Sequence, residues 1–381
     1  MYVWTGIGRE EYIDRSLGQV ATLFCPGCDS SVANRFVAAH QTRRWCSPGD
    51  AGSDTCRPLS SPRVVRRVVI HTLAVRSAET WISAASQGPP ADLNRYAGAH
   101  YVVDRNGTIT QLVRENDVAF HAGDRFINRD SIGIEHADVC NDPEPYTTHL
   151  YERSAQLVRD IAGRHGFRLL VYSIHTMDRN IATIIGHDHI GGHSDPGPYW
   201  DWEYYSNLLY WDGRSMMDRP IRLVTMTSQR PNAPSEWQVR RRRSIPNTHC
   251  ANRNDPYGAS FWRAQPSATG ASVEFSLIVN DPGLYKVSLW WPNVASANSA
   301  VPVDAEVLCL ASPCLDAFSQ TATINQRSRS GRWNDVGASF TVTTPPVEVR
   351  VRIRRNTATR GWILADAVRV LKIGSVGTWI T

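Results

Sequence analysis

Residues 64–71 read Val64-Val65-Arg66-Arg67-Val68-Val69-Ile70-His71. Apart from two arginines the run is β-branched or aliphatic, and such a run settles where both faces are covered, as an interior strand of a sheet. Its last residue is a histidine, placed where a strand emerges at the end of a sheet and sites are built. The flanking sequence supplies partners. His100–Val113 reads as two alternating strands joined at Asn106-Gly107, a hairpin turn because both residue types tolerate positive φ. Ser131–Glu135 is a further short strand, and Glu79–Ala85 is helix-compatible. Leu150, Leu157, Val158 and Ile161 recur at helical spacing before the stop at Gly166. Val171–Ile174 reads as a strand or a helix end, Ile181–Ile185 as a buried apolar segment, and Tyr204–Trp211 as a final aromatic helix. The expectation for residues 61–212 is an α/β domain, a mixed central sheet flanked by helices.

A chain of 381 residues has room for a second domain at roughly 150 residues each. Residues 213–247 are punctuated by proline, carry the run Arg240–Arg243 and read as a linker. From 248 to 381, strand-like runs alternate with Gly, Pro and Asn turns, which predicts an all-β sandwich. Residues 1–60 lack periodicity and read as a cysteine-containing extension. No run approaches the roughly 18–20 apolar residues of a membrane span. The first residues have neither a basic start nor an apolar core, so no Sec signal peptide is expected.

The eight cysteines are clustered. Cys25-Pro26-Gly27-Cys28 with Cys46 and Cys56 allows two readings: a structural four-thiolate zinc site, or two disulfides stapling the extension. Cys309 and Cys314 read as a local loop staple. Charge is uneven as well. Residues 228–381 hold 18 Arg/Lys against 10 Asp/Glu, a surplus of +8, whereas eleven of the twelve histidines precede residue 200. Chemistry is therefore expected in the first domain and adhesion in the second.

The segment from His187 to Asp195 packs three imidazoles and two carboxylates into nine residues. Two such groups on a glycine-softened loop, joined by His71 from a distant strand end, supply the three protein ligands of a catalytic zinc with one position left for water. Spacing alone does not choose among His187, His189, His193 and Asp195.

A resemblance makes the choice. Val68-Val69-Ile70-His71-Thr72, Ala99–Gly107, Ala119-Phe120-His121-Ala122-Gly123, Ser131-Ile132-Gly133-Ile134-Glu135, Gly186-His187 and Ser194–Pro198 follow in the order that resembles the type 2 N-acetylmuramoyl-L-alanine amidases, a group that includes amidase-type phage lysozymes, AmpD-like enzymes and peptidoglycan recognition proteins. The resemblance implies zinc held by His71, His187 and Asp195, and Glu135 as the acid/base that moves protons while the amide between muramic acid and L-alanine breaks. His193 stands where many members carry lysine and would stabilise the oxyanion. His100 and His121 are expected to orient the site or to contact substrate. The plainer alternatives are a core histidine at 71, a turn-forming Asp195, a salt-bridging Glu135 and a merely exposed His193.

The second domain resembles the golvesin-type, carbohydrate-binding-like β-sandwich, on Asp281–Val287, Trp290-Trp291-Pro292, Asn298–Val303, Gly331–Gly337 and Ala365–Val370. Trp290, Trp291 and Trp333 are candidates to stack on sugar rings, with sandwich core as the alternative. No nucleic-acid motif accompanies the arginines. Taken together, a zinc amidase acting on peptidoglycan and held to the wall by its C-terminal domain is expected. The alternatives are a non-catalytic peptidoglycan-binding adaptor and a cytoplasmic recycling amidase. Without a Sec leader, release by phage lysis or as cargo of a phage-tail-like particle suits a wall enzyme.

Overall fold

The computed structural model describes residues 25–46, 57–87, 97–138, 146–211, 218–226, 237–241, 255–257, 260–265, 272–312, 315–355 and 360–376. Expectations for Cys56, Cys314, Arg242 and Arg243 fall outside these residues. The chain forms two compact units, and among the described residues it passes from one to the other between Tyr210 and Trp211.

The first unit holds β1 (Arg35–Phe36), β2 (Arg44–Cys46), β3 (Arg57–Pro58), β4 (Arg67–Thr72), α1 (Ala78–Ser86), β5 (Tyr101–Val103), β6 (Ile109–Gln111), β7 (Val118–Ala119), α2 (Arg125–Asp130), β8 (Ser131–His136), α3 (Thr148–His165), β9 (Ile184–Gly186) and α4 (Trp202–Tyr210). Six strands make the central sheet, in the order β1-β6-β5-β8-β4-β9. The later part of the β-branched run, from Arg67, forms its interior strand β4, which lies parallel to both β8 and β9 and buries Val68, Val69 and Ile70 completely, while Val64 stays outside the strand and exposed. The hairpin forms where Asn106-Gly107 places it: β5 pairs antiparallel with β6, and Gly107 has φ 83°. Helix α3 starts where Thr147 accepts a hydrogen bond from the Leu150 amide and stops at Gly166, φ 73°, after burying Leu150, Leu157, Val158 and Ile161.

The N-terminal segment departs from the sequence reading. Strand β1 pairs parallel with β6, Arg35 beside Thr110, so this stretch is an edge of the central sheet rather than an appendage. Two paired residues are too short to show periodicity. Cys25 and Cys28 are joined in a disulfide. That corrects the four-thiolate zinc alternative, because the two thiols of the C-x2-C pair are consumed by each other. Cys46 closes β2. Elsewhere, Cys309 is disulfide-bonded.

The second unit is all β: β10 (Arg222–Met226), β11 (Trp237–Arg241), β12 (Ser260–Ala264), β13 (Ser272–Val279), β14 (Gly283–Trp290), β15 (Val301–Cys309), β16 (Phe318–Ile324), β17 (Asn334–Asp335), β18 (Phe340–Val342), β19 (Val347–Arg354), β20 (Ile363–Ala365) and β21 (Ala367–Gly374). One sheet runs β10-β21-β14-β17 with β18 also on β14, a second β13-β19-β15-β16, and a short third β11-β12-β20. Strand β19 shows why they stack: Val347, Val349, Val351 and Ile353 point inward while Glu348, Arg350, Arg352 and Arg354 alternate outward. Their inner faces share one apolar core with Phe275, Val287, Val303 and Val370. Strands β10 and β11 come from the stretch read as a linker; they are paired with β21 and β12 and so belong to this sandwich. Among the described residues no helix is long and apolar enough to cross a membrane.

Candidate metal centre

Three neighbouring parallel strands deliver the reactive side chains to one end of the sheet. His71 is the fifth residue of β4, and Glu135 stands directly beside it in register on β8. On the other side Ile70 pairs with Gly186, so the residue after β9, His187, emerges next to His71. The loop beyond His187 then folds back. Its return is pinned where the Asp188 amide donates to the Asp195 carbonyl at 2.6 Å, and where the buried Tyr146 hydroxyl donates to the Pro196 carbonyl at 2.6 Å.

Asp195 is thereby brought between the two imidazoles. Its Oδ1 lies 3.0 Å from His187 Nδ1 and its Oδ2 3.3 Å from His71 Nδ1. One donor atom from each of His71, His187 and Asp195 falls within 4.8 Å of the others. Ligands held about 2.0–2.1 Å from a tetrahedral ion sit roughly 3.3–3.4 Å apart, so two nitrogens and one carboxylate at these separations fit zinc with one position open. Burial lowers the His71 pKa to about 4 against the opposing pull of Asp195, which keeps the imidazole neutral as a metal ligand must be. For Asp195, burial acts upward but the adjoining His187 and His71 imidazoles overcome it and hold the carboxyl below its usual range.

Behind His71 the hydrogen bonds run in one direction. Ser131 Oγ–H donates to the Ile127 carbonyl, leaving its oxygen to accept from His121 Nε2 at 3.1 Å. His121 Nδ1 then accepts from His71 Nε2 at 3.0 Å, and the lone pair of His71 is left on Nδ1, facing Asp195. A relay of this kind fixes a ligand's tautomer. Gly133 makes room for it, since a Cβ there would lie 2.4 Å from His121 Cγ.

Glu135 is half-buried, and its Oε2, itself buried, has no hydrogen-bond partner among the described residues. Burial, reinforced by the nearby Asp195, raises its pKa well above the ordinary carboxylate value. His193 is exposed and stacks on His187, ring centroids 3.5 Å apart and planes 21° from parallel, with its Nε2 packed toward Gly123.

The structure corrects the expected substrate role of His100 and His121. His100 is fully buried: its Nδ1 accepts from the Gly133 amide, and its Nε2 faces Arg63 and the Asp117 carbonyl. His121 is buried behind His71, held against it by the Nδ1 contact at 3.0 Å. Two residues escaped the sequence reading. Tyr146 anchors the Asp195 loop and also meets Thr72 Oγ1 at 2.5 Å. His136 links the His71 carbonyl to Ser154 at 2.8 and 2.7 Å. Neither stands in a motif that spacing would single out.

The tryptophans of the second unit are corrected too. Trp290 and Trp291 are each only 2% exposed, so neither can stack on a sugar. Trp333 is half-buried and committed to Tyr257, Trp290 and the Arg369 guanidinium. Two adjacent residues on a strand face opposite ways; both are covered here because both faces of that strand end are packed.

Comparison with known proteins agrees with the two-part reading. Residues 61–198 match the family described as N-acetylmuramoyl-L-alanine amidase, and residues 247–372 match the Golvesin C-terminal domain. The chain is 29% identical over 154 residues to N-acetylmuramoyl-L-alanine amidase A of Achromobacter lyticus, covering 37% of this chain and 81% of that protein. It is 37% identical over 115 residues to 1,6-anhydro-N-acetylmuramyl-L-alanine amidase AmpD of Haemophilus influenzae, covering 28% of this chain and 55% of that protein. A solved selenomethionine AmpD derivative aligns with 21% identity and a TM-score of 0.31 over 46% of this chain and 93% of that one. The chain thus matches the N-acetylmuramoyl-L-alanine amidase family over residues 61–198 and the golvesin C-terminal domain over residues 247–372.

Proposed function

We propose that this chain is a zinc-dependent hydrolase of the amide between N-acetylmuramic acid and the L-alanine of the stem peptide, held on the cell wall by its golvesin domain. The observation that carries the reading is the meeting of His71, His187 and Asp195 beside a buried, unpartnered carboxylate oxygen of Glu135. A purely binding protein has no physical need of that combination.

His71 and His187 through Nδ1, and Asp195 through one carboxylate oxygen, would hold zinc. When bound, the ion supplies Lewis acidity, which polarises the scissile carbonyl and acidifies water. The protein's own groups do the rest. Glu135 Oε2 receives the proton of the attacking water and returns it to the departing amine nitrogen of L-alanine. Its Oε2, buried and without a hydrogen-bond partner among the described residues, is left open for both transfers. His193, stacked on His187 at the exposed side, donates a ring N–H toward the oxyanion in place of lysine. The His121–Ser131 pair keeps the His71 lone pair on Nδ1 throughout.

The test is incubation of the purified protein with peptidoglycan, with chelator and after zinc is restored, and mass spectrometry of the released material. Free stem peptides beginning with L-alanine, lost on chelation and regained with zinc, are expected. Zinc bound at one per chain with no release would shift the reading to a peptidoglycan receptor.

A further inference from the structure

Arginines of the second unit fall into two sets. On the outer face of β13, β19 and β15 they are neutralised: Arg352 and Arg350 by Glu274, Arg350 also by Glu348, and Arg354 by Asp304. Around Trp362 they are not. Arg263 lies with its guanidinium 3.9 Å from the Trp362 ring centroid. From the edge strand β11, Arg240 donates to Gln238 Oε1 at 3.3 Å, and Arg263 donates to the same oxygen at 3.4 Å. Two cations thus converge on one neutral acceptor. Arg360 precedes Trp362 by two residues, and Arg327 donates to the Ala297 carbonyl at 2.8 Å and to the Arg360 carbonyl at 3.3 Å, while the Trp362 amide donates to the Ser296 carbonyl at 2.8 Å. None of these four arginines is ion-paired to a carboxylate among the described residues, and Arg263 Nε is buried without a hydrogen-bond partner among them. Burial first and the Arg240 charge second lower the Arg263 pKa, the signature of a cation lacking a counter-charge.

We propose that this edge, Arg240, Arg263, Arg327 and Arg360 around Trp362, is the docking site for an anionic glycan polymer of the cell wall, whose phosphodiester or carboxylate oxygens meet the guanidinium groups. The choice of a wall polymer rests on the amidase reading above; the anionic chemistry does not. Guanidinium forks match either oxyanion. With Arg263 covering a face of the ring, that face cannot stack on a base, which disfavours single-stranded nucleic acid. The domain's +8 surplus gathers polymer from a distance, and this edge is where it lands.

The test uses the full chain and purified wall. Pelleting with wall is compared for the native protein, R240E/R263E and R240K/R263K, with cleavage of a small soluble muramyl peptide measured alongside. Charge reversal should weaken pelleting about tenfold while small-substrate cleavage is unchanged, and the lysine pair, which keeps the charge, should retain most of it. Wall stripped of phosphodiester-linked polymers by hydrofluoric acid, and wall with its carboxylates capped as amides, tell which oxyanion is bound. Pelleting that survives charge reversal, or both chemical treatments, overturns the site, as does displacement by duplex DNA at a lower concentration of charge than by the stripped polymer. Arginine-dependent pelleting without peptide cleavage would leave the site standing and remove the amidase reading.

Discussion

His71 Nε2 lies 3.0 Å from His121 Nδ1, and that contact decides which nitrogen of His71 is left to face Asp195. Replacing His121 by Ala removes the acceptor and frees the imidazole to change tautomer and turn. Zinc affinity should fall by roughly 10- to 100-fold, the range for losing an outer partner of a ligating histidine. Titration of the variant against a competing chelator measures it; affinity equal to the native protein's would mean that packing alone orients His71.

Gly133 permits that arrangement. A Cβ at this position would stand 2.4 to 2.7 Å from three atoms of the His121 ring, on an interior strand with no room to yield. Gly133→Ala should cost about 1–3 kcal/mol of stability, as overpacking does, and weaken zinc binding with it. Urea denaturation with and without zinc separates the two losses.

Glu135→Gln keeps the shape of the side chain and removes its ability to take a proton. Turnover should drop by about 10²- to 10⁴-fold with zinc content unchanged. Metal analysis and stem-peptide release on one preparation check both halves, and retained activity would take Glu135 out of the mechanism.

A pH effect on stability comes from Glu115, which is not one of the candidate site residues. Burial drives the Glu115 carboxyl upward, but hydrogen bonds from His165 and Tyr101 and the charge of Arg164 outweigh it and hold the pKa at about 2. The partners stand at 2.7, 2.6 and 2.5 Å. Since the folded pKa is below the unfolded one, near 4.5, the stabilisation is full above pH 4.5 and is lost as the pH falls toward 2. Its size is about 3 kcal/mol. Denaturant unfolding of the native protein and Glu115→Gln should differ by that order at pH 7 and converge near pH 2; a constant gap would assign the effect to packing.

How much of this was legible depended on whether a residue's job leaves a local mark. The strand carrying His71, the Asn106-Gly107 hairpin and the α3 stop at Gly166 each rest on neighbours a few residues away, and all three formed, the strand as Arg67–Thr72 rather than 64–71. The meeting of His71, His187 and Asp195 is long-range. Spacing left four candidates open, the family resemblance selected among them, and the structure brings the selected three together. Tyr146 and the His121–Ser131 relay were invisible because their partners lie far away in sequence or depend on ring orientation. The tryptophans failed differently. A strand with one wet face and a strand end covered on both sides can share a sequence, so Trp290 and Trp291 could not announce their burial.

Strand β1 has a practical side. Its pairing along β6 covers backbone N–H and C=O groups that would otherwise line an open sheet edge. A chain trimmed to begin at residue 61, where family similarity starts, would uncover that row and invite self-association through strand addition. The segment of similarity is therefore shorter than the cooperative folding unit, and the residues ahead of it act as a built-in guard against aggregation.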